Sequence, residues 1–142
     1  MNDNIVFRKM WQDGELIEIK AICSAETIIA TTSIYVSYSL IDDLIYAISL
    51  FLSGSEERFW ENEKKGNDTT TSLSFQFLNK DRLGHILIEV FMEIDDGGDY
   101  TKHNCCFYVN TETGLLKRFC DRLPYLKQES CDFEVVLNPY SP

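Results

Sequence analysis

Side chains able to do chemistry are few in this sequence, and they are scattered. There are two histidines, His85 and His103. His85 follows a turn at the head of an extended run, and His103 precedes the adjacent Cys105 and Cys106, so neither stands beside a nucleophile motif. Ser53-Gly54-Ser55 lacks the flanking glycines of a nucleophile elbow. The five cysteines, Cys23, Cys105, Cys106, Cys120 and Cys131, are odd in number and show no paired spacing of the kind that staples small secreted domains. A zinc set can be drawn from His103, Cys105, Cys120 and Cys131, but zinc ligands usually come in pairs roughly two to four residues apart on a turn. His103 and Cys105 lie on an extended run instead, where Cys105 and Cys106 point to opposite faces. Asp95-Asp96-Gly97-Gly98-Asp99 invites a calcium reading that fails on spacing. Counted from Asp95, Tyr100 and Cys106 fall where an EF-hand loop needs glycine and glutamate. The same aspartates around Gly97-Gly98 would repel a phosphate. The sequence therefore predicts no enzyme, no catalytic residue, no metal ligand and no cofactor.

What remains is charge. The 142 residues hold 23 acidic and 13 basic side chains, a formal net charge of −10. Residues 1–71 carry 12 acids against 6 bases and residues 72–142 carry 11 against 7, so neither half is a basic arm. Nucleic acid and anionic membranes are poor partners for such a chain, because phosphate contact needs clustered Lys and Arg. The acid is densest at Glu56, Glu57, Glu61 and Glu63, and again at Asp95, Asp96 and Asp99. Phe59, Trp60 and Tyr100 lie among these carboxylates. Solubility alone accounts for an acidic surface. The sharper reading makes these ten residues a surface that imitates nucleic acid for a basic partner, with charge speeding encounter and aromatics holding the complex. No apolar run reaches the roughly 18 residues of a membrane span, no signal peptide is visible, and the unpaired cysteines suit a reducing compartment, so a cytoplasmic location is expected.

The elements that must position such a surface are legible from periodicity. With 44% hydrophobic and 13% aromatic residues, one domain with a substantial core is expected over residues 1–142. Strands are predicted at Ile5 to Trp11, Glu15 to Cys23 and Thr27 to Ser37, the first two joined across Asp13-Gly14. Ile17, Ile19, Ala21 and Cys23 share one face of the second. From Ser39 the period changes: Leu40, Ile41, Leu44, Ile45, Ile48, Phe51 and Leu52 form one helical stripe, with Ser39 as its cap, Asp42 reaching back to it, and Gly54 as its stop. Residues 53–72 read as a polar loop anchored by Phe59 and Trp60. Leu73 to Phe77, Ile86 to Ile94 and His103 to Val109 read as further strands. A second helix starts near Thr111 or Thr113 and carries Leu115, Leu116, Phe119 and Leu123 inward. Phe133 to Leu137 is a possible last strand. The expectation is an α+β fold in βββα-βββα order, one antiparallel sheet of five to seven strands with two helices on one face. Leu44, Ile48, Phe75, Ile88, Val90, Phe107 and Phe119 should be buried together.

The meander ending in Ile34-Tyr35-Val36-Ser37, the Leu40 to Leu52 helix, the Gly84-His85-Ile86-Leu87-Ile88 strand and the Leu116-x-x-Phe119-x-x-x-Leu123 helix together resemble a known group. They are similar to the bacterial immunity proteins of contact-dependent and polymorphic toxins, in particular those paired with the wall-associated protein A toxins of Gram-positive bacteria. The resemblance covers most of the chain, and its motifs are packing patterns. It implies cytoplasmic residence, no catalysis, and tight binding to the toxic carboxy-terminal domain of a cognate effector, often a nuclease. It transfers no contact residue, and it makes Tyr35, Gly84 and Phe119 fold determinants. The competing expectation is a small acidic ligand-binding or regulatory accessory domain with a pocket between sheet and helices.

Overall fold

A computed structural model describes residues 3–54, 56–63, 72–94 and 102–139. In chain order the elements are strands β1 (Asn4–Gln12), β2 (Leu16–Ala25) and β3 (Ile28–Ser37), helix α1 (Tyr38–Gly54), strands β4 (Arg58–Glu61), β5 (Ser72–Asn79), β6 (His85–Ile94) and β7 (His103–Glu112), helix α2 (Thr113–Arg122), a 3-10 turn over Leu123–Lys127, and strand β8 (Glu134–Val136). The α+β class is as expected, but the single sheet is not. The strands form two antiparallel sheets of four, ordered β3-β2-β1-β8 and β4-β5-β6-β7.

Two features account for the division. The sequence after α1 read as a polar loop, yet Arg58–Glu61 pairs with β5 through Arg58 to Phe77 and Trp60 to Phe75, which adds an edge strand to the second sheet. The first sheet gains its fourth strand from the far end of the chain, where Val6, Phe7 and Arg8 of β1 pair with Val136, Val135 and Glu134. Each sheet then presents large aromatics inward, and these bury against one another as well as against the helices. Phe7 of β1 stacks on Phe75 of β5 at 6.0 Å and meets Phe119 of α2 edge-on at 5.7 Å. Phe51 of α1 packs on Phe77 at 5.9 Å. One cluster contains the inward residues of both sheets and both helices, including all seven expected core residues. At about 25 cal/mol per Å² of apolar surface removed from water, this shared interior is the main stabilising term.

Local details follow from side-chain chemistry. Helix α1 starts one residue before Ser39, and its cap is Ser37, whose Oγ accepts the Leu40 N–H at 3.2 Å. Asp42 does not reach back to that cap. It pairs with Lys127 across the 3-10 turn. Gly84 holds φ of +87°, where a Cβ would also lie 3.1 Å from Thr113 Oγ1, so glycine is required in the turn before β6. Tyr35 is 57% exposed on the outward face of β3, which removes it from the fold determinants, whereas Phe119 is buried as expected.

A register shift between Lys9 and Trp11 doubles the chain at Met10 and turns Trp11 outward. Just before that bulge Lys9 faces the interior and is 2% exposed. Its Nζ donates to Gln12 Oε1 and, at 2.7 Å, to the Glu129 carbonyl. Gln12 Nε2 in turn donates to Tyr38 Oη and to the Lys127 carbonyl. Neutral oxygens thus satisfy a buried ammonium that would otherwise be costly.

Candidate functional site

Strand alternation decides which of the expected contact residues can meet a partner. In β4, Trp60 points inward: it is 4% exposed, stacks on Phe75 at 5.7 Å, and donates its indole N–H to the Leu40 carbonyl at 3.0 Å. Trp60 is therefore a core residue and not a contact anchor, because inward and outward positions alternate and its neighbours take the outward ones. Phe59, 47% exposed, and Glu61 do so. Glu57 lies just before the strand and accepts a hydrogen bond from Gln76 Nε2 at 3.2 Å. Glu56 is exposed, 3.6 Å from the Arg58 guanidinium. Glu63 is half-buried, and its carbonyl accepts the Ser72 hydroxyl at 2.9 Å. Asp95, Asp96, Asp99 and Tyr100 lie outside the described residues.

Register extends this outward face across the second sheet. One row runs Phe59, Gln76, Glu89, Tyr108; the next runs Glu61, Ser74, Phe91, Cys106; a third carries Ser72, Glu93 and Asn104, with Ser72 and Ser74 themselves buried. Among the described residues, the outward strand positions of this sheet hold no Lys or Arg. The face therefore combines the carboxylates of Glu57, Glu61, Glu89 and Glu93 with the rings of Phe59, Phe91 and Tyr108. Tyr108 Oη donates to Glu89 Oε2 at 2.9 Å, and that carboxylate raises the phenol's pKa. The hydrogen bond holds ring and charge side by side.

Glu89, Phe91, Glu93 and Tyr108 were not among the expected contacts. Their signal was present in the alternation of β6, where Glu89, Phe91 and Glu93 interleave with Ile88, Val90 and Met92. Only the cross-strand register, however, sets them beside Phe59 and Glu61.

At one end of this face the β5–β6 turn brings His85 into play. Asp81 Oδ2 lies 2.6 Å from His85 Nδ1, and His85 Nε2 lies 3.9 Å from Glu112 Oε1. The imidazole hydrogen bond, with the Leu83 and His85 backbone N–H groups, lowers the Asp81 pKa. This imidazole, with a carboxylate toward each ring nitrogen, lines an open groove of about 480 Å³ together with Asp3, Lys80, Asn110, Leu115 and Asn138. The threonine hydroxyls beside it are engaged, Thr111 with Asn138 Oδ1 at 2.8 Å and Thr113 with the Gly84 carbonyl at 3.1 Å. His103 opens β7, while Cys105 faces inward and Cys106 outward from adjacent positions. None of the five cysteines is in a disulfide. Among the described residues, no three His, Cys, Asp or Glu side chains converge as a metal site, and no helix is long and apolar enough to cross a membrane.

The chain matches no protein-family profile, no curated protein and no solved structure.

Proposed function

We propose that this protein is an immunity protein that binds a cationic toxin domain, in many such systems a nuclease, and occludes its substrate-binding surface. The observation that carries the reading is the outward face of the second sheet, where Glu57, Glu61, Glu89 and Glu93 surround Phe59, Phe91 and Tyr108 and where, among the described residues, no outward strand position holds Lys or Arg. Carboxylates at that spacing attract a surface evolved to hold phosphates, and the exposed rings of Phe59 and Tyr108 supply contact area at small entropic cost. Occlusion needs no catalytic group from the binder.

The test is co-expression with the toxic carboxy-terminal domain encoded beside it, followed by isolation of the complex. Protection and a stoichiometric complex are expected. Glu57→Lys, Glu89→Lys and Glu93→Lys should slow association and flatten its salt dependence while leaving the melting temperature nearly unchanged. Absence of both protection and complex defeats the immunity reading, and unchanged association in the reversed variants defeats the choice of face.

The groove beside His85 favours a second reading, a ligand-binding accessory domain. Lys80 donates there to Asn110 Oδ1 at 3.0 Å and Asn110 Nδ2 to Asp3 Oδ2 at 2.8 Å, and this linked polar wall, with Glu112, suits a small polar molecule. A metabolite screen by thermal unfolding separates the two readings, since a bound ligand raises the melting temperature without any partner protein.

A further inference from the structure

Four strand edges end the two sheets, and three of them are protected. Strand β8 has three residues and β4 has four, the latter with Arg58 and Glu61 in it. The edge of β7 carries His103 and Glu112 at its ends and is capped by side chains at Asn110, which donates its N–H to Asp3 Oδ2 at 2.8 Å and whose carbonyl accepts Asn138 Nδ2 at 2.9 Å. Strand β3 differs from all three. Like β7 it is ten residues long, but its sequence, IIATTSIYVS, has no charge, proline or glycine, and its register with β2 is unbroken. Six of its residues are Ile, Val or Thr. Soluble proteins ordinarily guard a long edge with lysine, proline or a bulge, because its unpaired N–H and C=O groups are a template for another strand.

The first residues of β3 run beside the second sheet, since Ile28 to Thr31 line a cavity with Met92, Ile94, His103 and Cys105. The remaining segment, from Thr31 to Ser37, has among the described residues no backbone partner other than β2, apart from Ser37 where α1 begins. We infer that this segment pairs antiparallel with the same segment of a second copy, joining two four-stranded sheets into one of eight. A two-fold axis near Ile34 sets Ser33 of one copy opposite Tyr35 of the other and keeps the outward positions of both strands on one face.

A second copy is the occupant that this uncharged edge admits, because it presents the same neutral β-branched strand in return. Two chains of net charge −10 repel, so self-association requires a neutral contact held away from the acidic face. The uncharged β3 edge lies in the other sheet. A basic partner strand would gain nothing from an edge without carboxylates. Use of β3 for dimerisation also leaves the Glu57 to Tyr108 face open, so this inference stands apart from the proposed toxin binding.

The experiment is sedimentation equilibrium of the purified protein from micromolar to submillimolar concentration, with hydrogen exchange at matched concentrations. Wild type should reach the mass of two chains, and outward-directed amides between Thr31 and Ser37 should gain protection as it does. The double variant Ser33→Lys, Tyr35→Lys places lysines opposite one another across the axis and should raise the dimer dissociation constant about tenfold or more. It also reduces the net charge from −10 to −8, which by itself favours association, so a loss of dimer cannot be general repulsion. Asn104→Lys on the other sheet is the control and should leave the dimer intact. If the double variant unfolds, Ser33→Lys alone decides the same point at an exposed position. A monomer at every concentration overturns the inference, as does a dimer that survives lysines in folded β3 variants. A wild-type chain that stays monomeric and takes up only a strand of another protein overturns it too.

Discussion

The ring contact between Phe7 and Phe75 is one place where the two sheets meet, and a double-mutant cycle at that pair measures whether they close over one interior. Leucine is the useful replacement, because it keeps most of the volume and removes the ring. Each single change should cost about 1 to 1.5 kcal/mol, well within the roughly 5 to 15 kcal/mol of a small domain. Phe7 also touches Phe119, and Phe75 also touches Trp60 and Phe77 at 5.7 and 6.3 Å. Those losses occur in the single and double variants alike, so they cancel in the cycle. What survives is the stacked pair at 6.0 Å and 23°, worth about 0.5 to 1.5 kcal/mol of coupling. Urea titration gives each free energy, provided the m-value stays constant. A parallel cycle between Phe7 and Phe51, whose ring partner is Phe77, should be additive within about 0.5 kcal/mol. Coupling at Phe7 and Phe75 no larger than in that control would refute the shared core.

Two further outcomes follow from the side chains. Alkylation of the native protein, followed by mass spectrometry, should label the exposed Cys106 and Cys131 first and Cys23 last, because burial pushes the Cys23 thiol far up. Cys105 and Cys120, also raised by burial, should need a higher pH than the exposed pair, and denatured protein should titrate five thiols; a Cys23 as fast as Cys106 contradicts the packing. Asp81→Asn should lower stability at neutral pH, since the folded Asp81 pKa lies below its ordinary value of 3.8. Its contribution is complete above that value and fades as pH falls through the folded pKa, so the wild-type advantage in urea titrations should shrink in acid; an advantage that grows there contradicts the His85 contact.

Long periodic segments were legible because burial on one face imposes the period directly. Ile17 to Cys23 and Ile86 to Ile94 alternate as strands must, and the α1 stripe repeats every three to four residues. Strand β4 was hidden because four residues are too few for a period and its flanks are glutamates. The two-sheet arrangement was hidden for a different reason. Strand β8 pairs with β1 although Arg8 and Glu134 are 126 positions apart, and no local pattern encodes such a partner. The same limit governed the candidate surface. The glutamates of β4 were visible as acid, but Trp60 could be assigned to the core only once its strand and inward register were known. Glu89 and Glu93 were visible as the polar side of a strand, and their neighbours across the sheet were not.

The β1–β8 pairing fixes when this protein can finish folding. The β1, β2 and β3 meander and the four-stranded second sheet are made of sequence neighbours, and such local pairings form early. The groups that close β1 are made long after it: the Glu129 carbonyl for the Lys9 ammonium, the Phe133 carbonyl for the Lys9 N–H at 2.9 Å, and the Leu137 N–H for the Ile5 carbonyl at 2.9 Å. Until residue 137 emerges, a nascent chain holds β1 as an open edge beside an ammonium with half its partners missing. Domains generally fold as units during synthesis, but this one is held unfinished until nearly all of the described chain has been made. A ribosome that stalls before residue 137 therefore leaves a chain with most of this hydrophobic surface in place and its closing strand absent, a species better suited to chaperones and proteases than to binding a partner.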